Sequence, residues 1–183
     1  MQFGCDIVAR AAEKILGVRS RWAQDNPDVV ARLVRAHRRA ADFIDDAANR
    51  DEVAALLTAP GRIEVAPEVI RRTFEGRIKV APGGMTRTSE RYLMLGRNGA
   101  ARPDPVQAAW LYAQMVRWGQ APLSSDLLAA ATAVFRPDLY DAALAAPEAT
   151  SVGEPADHIG AFAGAPFDAN DIAAHLAAWD IKR

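Results

Sequence analysis

The sequence predicts a helix-rich α/β fold, and three of its features carry that prediction. Apolar residues recur at helical spacing, for example from Val30 to Ile44, which gives a helix one apolar face. A proline followed by an acidic residue recurs along the chain, and this pair is typical of a helix start. The pairs are Pro27-Asp28, Pro67-Glu68 and Pro137-Asp138. The apolar run Ile15-Leu16-Gly17-Val18 is too brief for a helix and predicts a buried strand.

Composition limits the class of protein. The 183 residues allow one domain or a large fragment of one. Half of the residues are hydrophobic and a quarter are charged, a balance typical of a chain that buries a core. The net charge of −1 provides no basic field, so nucleic acid is not predicted as a partner. The single cysteine, Cys5, excludes an internal disulfide.

The amino-terminal residues do not have the pattern of a signal peptide. Asp6, Arg10, Glu13 and Lys14 interrupt any apolar stretch, and a signal peptide needs an uninterrupted one. No run reaches the roughly 20 apolar residues of a membrane span. The chain as written is therefore expected to lack a membrane span and to be cytoplasmic, whereas a longer, exported parent protein would place it in the periplasm or at the membrane.

In the first half of the chain the sequence predicts three helices. Asn26 is expected to cap a long helix that begins at Pro27. A shorter helix follows Asn49 and runs through Leu57, and a third runs from Pro67 to Gly76. The glycine-rich stretch 83–99 predicts a long surface loop that holds one strand at most.

The second half is expected to be helical with one long loop. The predicted helix starts are Asp104-Pro105, Ser124 or Ser125, Pro137-Asp138, and Asp168 or Asn170. Gly119 is a suitable residue to end the first of these helices. The stretch 147–166 is rich in Pro, Gly and Ala and predicts a loop.

Sequence motifs for catalysis are absent. There is no glycine-rich phosphate loop, HExxH, CxxC or serine elbow. His37, His158 and His175 are far apart in sequence, and His37 is expected to be a hydrogen-bonded, partly buried residue on the inner face of its helix. No catalytic residue, metal or cofactor is therefore predicted, and an enzyme is the least favoured class.

Two further features have structural interpretations. The basic run Arg35–Arg39 precedes Asp42, Asp45 and Asp46, so a solvated face of mixed charge is favoured over a basic patch. Arg38 and Asp42 are four residues apart and are expected to pair weakly. Trp110 and Trp118 lie on one predicted helix, and packing in the core is the expected role of both.

Lys14 is the candidate binding residue. It lies just before the predicted strand 15–18, where the end of a strand can border a cleft. An ammonium group there would suit a small anion. From spacing alone, an ordinary surface lysine is the stronger interpretation.

Several segments, taken in order, resemble the C-terminal portion of a known family. The matching stretches are 6–7, 13–19, 22–23, 26–27, 45–46, 49–50, 65–67, Trp110 to Gly119, Arg136 to Tyr140, 159–162 and 167–168. They resemble the nitrate/sulfonate/bicarbonate-type periplasmic substrate-binding proteins of ABC transporters, in particular the nitrate-binding subgroup.

The resemblance implies a partial periplasmic binding protein-like type II fold. Members of the family are bilobed, and the ligand lies between the lobes. Residues 1–183 are then expected to be a C-terminal part that lacks the N-terminal lobe, and Lys14 becomes the best match to the family's anion-binding lysine. Because a cleft site needs both walls, such a part is expected to bind an anion weakly and to pair with another chain or be marginally stable.

The leading functional interpretation is a non-enzymatic component of an ABC importer for nitrate or a similar small anion. Its partners would be the ABC permease and ATPase. The alternative is a cytoplasmic nitrate or nitrite sensor of the same fold that controls a regulatory protein, and a third interpretation is a helical protein–protein module. The sequence leaves nitrate, nitrite, bicarbonate, cyanate and sulfonate open as ligands.

Overall fold

The computed structural model of the protein describes residues 2–8, 13–145 and 167–178. Within these ranges the chain is mostly helical with one small sheet, as a helix-rich α/β fold requires. The helices are α1 (Gly4–Ile7), α2 (Ser20–Asp25), α3 (Pro27–Asp45), α4 (Arg50–Leu57), α5 (Pro67–Phe74), α6 (Pro105–Arg117), α7 (Ser125–Ala133), α8 (Pro137–Leu144) and α9 (Ile172–Ala177). Short 3₁₀ helices occupy Ala47–Asn49 and Arg97–Gly99, and the strands are β1 (Arg77–Lys79) and β2 (Thr86–Thr88).

The predicted helix starts at prolines are confirmed. Pro27, Pro67, Pro105 and Pro137 each lie in the first turn of a helix, where proline's fixed φ and missing N–H cost nothing. Asn26 precedes α3 without capping it, because its amide instead donates to the Trp22 carbonyl at 2.9 Å.

The predicted buried strand at 15–18 is wrong. These residues form neither helix nor strand, and Ile15, Leu16 and Val18 are 70%, 52% and 45% exposed. A strand is stable only when a neighbouring backbone satisfies its N–H and C=O groups. Within the described ranges no hydrogen bond joins residues 15–18 to another segment, so the apolar run stays open to solvent.

The small sheet is an antiparallel hairpin. Ile78 of β1 lies opposite Arg87 of β2. The one strand within the predicted loop 83–99 is therefore β2, near the start of that loop. Gly76 has a φ of 64° and lies so close to the Ser89 carbonyl that a Cβ atom would overlap it. Glycine is required there for both reasons.

An apolar core cluster forms between α6, α7 and α9. Tyr112, Ala113 and Ile172 are its most buried members, at 4%, 0% and 4% exposure. The Tyr112 hydroxyl donates to the Pro122 carbonyl at 2.6 Å and accepts from the Ser124 amide at 2.9 Å. These bonds fix the turn between α6 and α7 to the cluster.

Several local expectations change in the structure. Asp171, rather than Asp168 or Asn170, caps α9 by accepting from the Ala174 amide at 2.9 Å, because Asp168 instead accepts from the amide of Asn170. Trp118, the C-cap residue of α6, is 66% exposed, so the predicted core role is wrong for this residue. The predicted loop 147–166 and His158 lie outside the described residues.

His37 is exposed rather than partly buried. It lies beside the inward-facing residues of α3, yet α8 and the turn before the second 3₁₀ helix contact α3 at Arg35 and Arg38 instead. Among the described residues no helix is long and apolar enough to span a membrane.

Candidate functional site

Lys14 lies in an exposed, irregular segment, residues 13–19, that leads into α2. Within the described ranges its ammonium group makes no hydrogen bond or ion pair. A Cβ atom added at Gly17 would meet nothing within 4 Å. The structure therefore presents a lysine and an apolar run on an open surface, and the described residues do not close a pocket around them.

The chain just before this segment is fixed to the hairpin. The Asp6 carboxylate pairs with both terminal nitrogens of Arg87, at 2.8 and 3.3 Å, and it accepts from the Phe3 amide at 2.7 Å. The Arg87 guanidinium lies 4.6 Å from the centre of the Phe3 ring, and the Phe3 ring meets Tyr92 edge to face at 5.1 Å. Hydrogen bonding to Arg87 lowers the pKa of Asp6 below its ordinary value.

The chain after this segment is fixed through α3. Arg38 pairs with Asp42, with Nε and Nη2 at 2.9 and 2.7 Å from the carboxylate oxygens, which confirms the pairing predicted from their spacing. Arg38 also donates to the Tyr140 hydroxyl of α8 at 3.4 Å and to the Gly96 carbonyl at 3.5 Å. Hydrogen bonds to Asp42 and Tyr140 raise the pKa of Arg38.

Asp45 and Asp42 are not part of an anionic surface patch. The Asp45 carboxylate accepts from the Gly96 and Arg97 amides at 2.7 and 2.8 Å. Asp46 caps the following 3₁₀ helix through the Ala48 amide at 2.9 Å. All three aspartates that follow the basic run are therefore committed to local structure, and the sequence pattern revealed this role only for Asp42.

A shallow groove lies elsewhere, between α6, α7 and the chain before α9. Its volume is about 320 Å³. Its lining consists of Pro105, Val106, Ala109, Ser125, Leu128, Ala129, Thr132, Ala169 and Asn170. None of these carries a charge, so the groove offers an inorganic anion no counterion. It does not include Lys14.

Titratable groups do not converge on a metal-type site in the part of the chain that the structure describes. No three histidine, cysteine or acidic side chains lie close enough there to hold an ion. Cys5 contacts the Ser89 hydroxyl at 3.5 Å. His175 contacts Gln114, and its contacts are considered below.

Comparison with known proteins agrees with the fold. The NMT1-like family model matches residues 2–58, a range that includes Lys14 and α3. The nitrate import ATP-binding protein NrtC of Synechococcus elongatus is 29% identical over 178 residues, which are 97% of this chain and 26% of that protein. The nitrate/nitrite binding protein NrtA of Synechocystis is 28% identical over 183 residues, covering 93% of this chain and 39% of that protein.

A solved structure shows the same fold. The periplasmic nitrate-binding protein NrtA from Synechocystis PCC 6803 superposes with a TM-score of 0.84 at 26% identity, covering 97% of this chain and 47% of that one. The chain thus spans about a quarter of its first relative and about half of the solved structure. The resemblance predicted from the sequence is confirmed: this chain is similar to nitrate-binding substrate-binding proteins of ABC transporters and has part of their periplasmic binding protein fold.

Proposed function

We propose that this chain is a solute-binding component, or part of one, of an ABC-type importer for nitrate or a similar small anion. The observation that carries the proposal is the superposition of 97% of the chain on a nitrate-binding protein at a TM-score of 0.84. A fold alone does not define a function, but here the sequences are also related. In this role the protein captures its ligand without chemical change, in the periplasm, and passes it to a permease and ATPase.

Lys14 is proposed to contact the anion. Its ammonium group is exposed and makes no ion pair within the described ranges. A point charge with rotatable donors suits a small oxyanion. A single exposed lysine binds an anion weakly because water competes for both charges. A second wall is therefore needed for tight binding.

That second wall is proposed to be polypeptide corresponding to the half of the solved neighbour that this chain does not match. The exposed apolar segment next to Lys14 supports this placement, because Ile15 at 70% and Leu16 at 52% exposure would lose water when covered. Residues 1–183 then form one part of a bilobed protein, and the ligand lies where the parts meet.

A nitrate or nitrite sensor of the same fold is the second candidate. The chain matches a quarter of an import ATP-binding protein over 97% of its own length, so a unit similar to this chain can lie within a larger protein. This chain has no phosphate-binding loop, so the matched quarter is similar to a solute-binding unit rather than to a nucleotide site. A unit of this kind inside a larger protein could report ligand to a partner rather than deliver it.

Ligand-induced stabilisation tests the proposal. Thermal unfolding of the chain is followed with increasing sodium nitrate, nitrite, bicarbonate or chloride at constant ionic strength, because a ligand of the folded state raises the Tm. Lys14→Gln is compared with Lys79→Gln, which removes another exposed lysine, on β1. We expect nitrate to raise the Tm of the wild type and of Lys79→Gln by more than chloride does. In Lys14→Gln the two ions should have the same effect on the Tm.

The outcomes separate the parts of the proposal. Nitrate stabilisation that survives in Lys14→Gln would keep solute binding and overturn the role of Lys14. Equal effects of nitrate and chloride in the wild type would contradict solute binding by this chain. Genes for an ABC permease and ATPase next to the gene for this chain would favour the importer. A neighbouring gene for an RNA-binding antiterminator would favour the sensor.

A further inference from the structure

The imidazole of His175 lies in a half-buried contact between α9 and α6. Its ring meets the edge of Phe167 at 4.9 Å and an interplanar angle of 86°. Its Nε2 lies 3.4 Å from the side-chain nitrogen of Gln114, and its carbonyl accepts from Arg117 Nη2 at 3.2 Å. The ring therefore contacts Phe167 and the Gln114 side chain, and Arg117 binds the backbone carbonyl of the same residue.

Among the residues that the structure describes, the charge that acts on this ring is positive. Arg117 is the charged side chain that α6 presents to it, and α6 contains no acidic residue. The carboxylates of the α9 segment are directed to backbone amides, Asp168 to that of Asn170 and Asp171 to that of Ala174. Desolvation, together with the Arg117 charge, lowers the pKa of His175 below its ordinary value.

Helix α9 depends on this contact. It has only six residues, and a helix of that length is not stable on its own. Ile172 anchors it in the cluster with Tyr112 and Ala113. Arg117 Nε is buried and has no hydrogen-bond partner within the described ranges, so a second positive charge there would meet an uncompensated cation.

We propose that protonation of His175 releases α9 from α6, so that this contact is sensitive to pH. An imidazolium would place a positive charge beside the Arg117 guanidinium and direct a second N–H toward the Gln114 amide. The Gln114 amide can rotate so that its oxygen accepts this N–H. The Arg117 guanidinium stays positively charged and repels the imidazolium. The inference concerns this contact alone and does not depend on the solute-binding function.

The direction of the effect follows from linkage. The pKa of His175 is lower when α9 is docked than in the released state, where it is about 6.5. Between the two values the released state binds more protons, so docking weakens as the pH falls. Above the released-state pKa the full stability of the contact is present.

Hydrogen exchange on the whole chain tests the proposal. Protection of the α9 amides is compared with that of the α3 amides from about pH 7.5 to about pH 5, after correction for intrinsic exchange. We expect α9 to lose protection relative to α3 by up to about tenfold per pH unit between the two pKa values. His175→Gln should remove this dependence, and His37→Gln, which changes an exposed histidine, should keep it.

A second measurement keeps the test independent of whether His175→Gln folds. The NMR titration of the His175 ring in the wild type should give a pKa below the ordinary histidine value of about 6.5. A pKa at or above that value, or α9 protection that does not change with pH, would overturn the proposal.

Discussion

The Asp45 carboxylate accepts a hydrogen bond from the amide of Gly96 at 2.7 Å, across 51 residues of sequence. The same oxygen accepts from the Arg97 amide at 2.8 Å, so one side chain satisfies two backbone donors. Gly96 lies close to α3, where an added Cβ would be 3.1 Å from the Ala41 Cβ. The end of α3 and the start of the second 3₁₀ helix are thereby held together.

Replacing Asp45 with alanine should destabilise the protein by about 1–3 kcal/mol, because two backbone donors lose a charged acceptor. Urea unfolding measures the change as a lower midpoint with the slope preserved. Asp28→Ala is the matched control. It removes an exposed carboxylate in the first turn of α3 and should cost only about 0.5 kcal/mol. Equal losses in the two variants would show that the Asp45 bonds do not stabilise the fold.

Tyr112→Phe should cost about 1–3 kcal/mol, since it leaves the Ser124 amide and the Pro122 carbonyl without their buried partner. The ring itself remains and continues to pack in the cluster. Tyr92→Phe is the control, because the Tyr92 ring is 38% exposed and its hydroxyl makes no hydrogen bond within the described residues. Chemical denaturation compares the stabilities of the two variants. An unchanged stability of Tyr112→Phe would contradict the assigned role of the hydroxyl.

Ile15→Ala should leave the stability of this chain within about 0.5 kcal/mol of the wild type, as is usual for exposed positions. Ile172→Ala, the same change at a residue only 4% exposed, should cost about 2–5 kcal/mol. Both are measured by urea unfolding. A large loss for Ile15→Ala would show that segment 15–18 is buried in this chain after all, as the sequence pattern predicts.

Asp141 should titrate below its ordinary pKa because Arg102 donates two hydrogen bonds to it, at 2.9 and 2.6 Å. A carboxyl whose folded pKa is lowered adds stability above its unfolded pKa, and that stability is lost as the pH falls through the folded value. Carboxyl NMR titration should show the pKa of Asp141 rising in Arg102→Gln and unchanged in Arg32→Gln. An unchanged pKa in Arg102→Gln would contradict this pairing in solution.

Local patterns predicted the helices because a helix start is decided by neighbouring residues. Pro105 with the Asp104 side chain, which accepts from the Val106 amide at 2.9 Å, is such a case. The prediction of a strand at Ile15 was wrong because a strand must pair with a backbone segment that is distant in sequence. A local sequence pattern holds no information about that segment. The Arg38–Asp42 pair was predictable from its spacing, whereas Arg102–Asp141 joins residues 39 apart and leaves no local signal.

The candidate site was predicted only through resemblance. A lysine before an apolar run is common, and nothing in its immediate sequence separates Lys14 from Lys79. The structure shows Lys14 exposed, which is compatible with a position in a binding wall. Its role as an anion ligand remains a prediction, because an anion site is formed by groups from several segments.

The central claim, that Lys14 in segment 13–19 contacts an anion, is tested most directly by NMR titration of the chain with nitrate against chloride at equal ionic strength. We predict saturable amide shifts concentrated at residues 13–19, with weak affinity in the millimolar range or above, about −4 kcal/mol or less favourable. These shifts should vanish in Lys14→Gln and persist in Lys79→Gln. Shifts equal for nitrate and chloride, or spread over the exposed arginines of α3 instead, would contradict the claim.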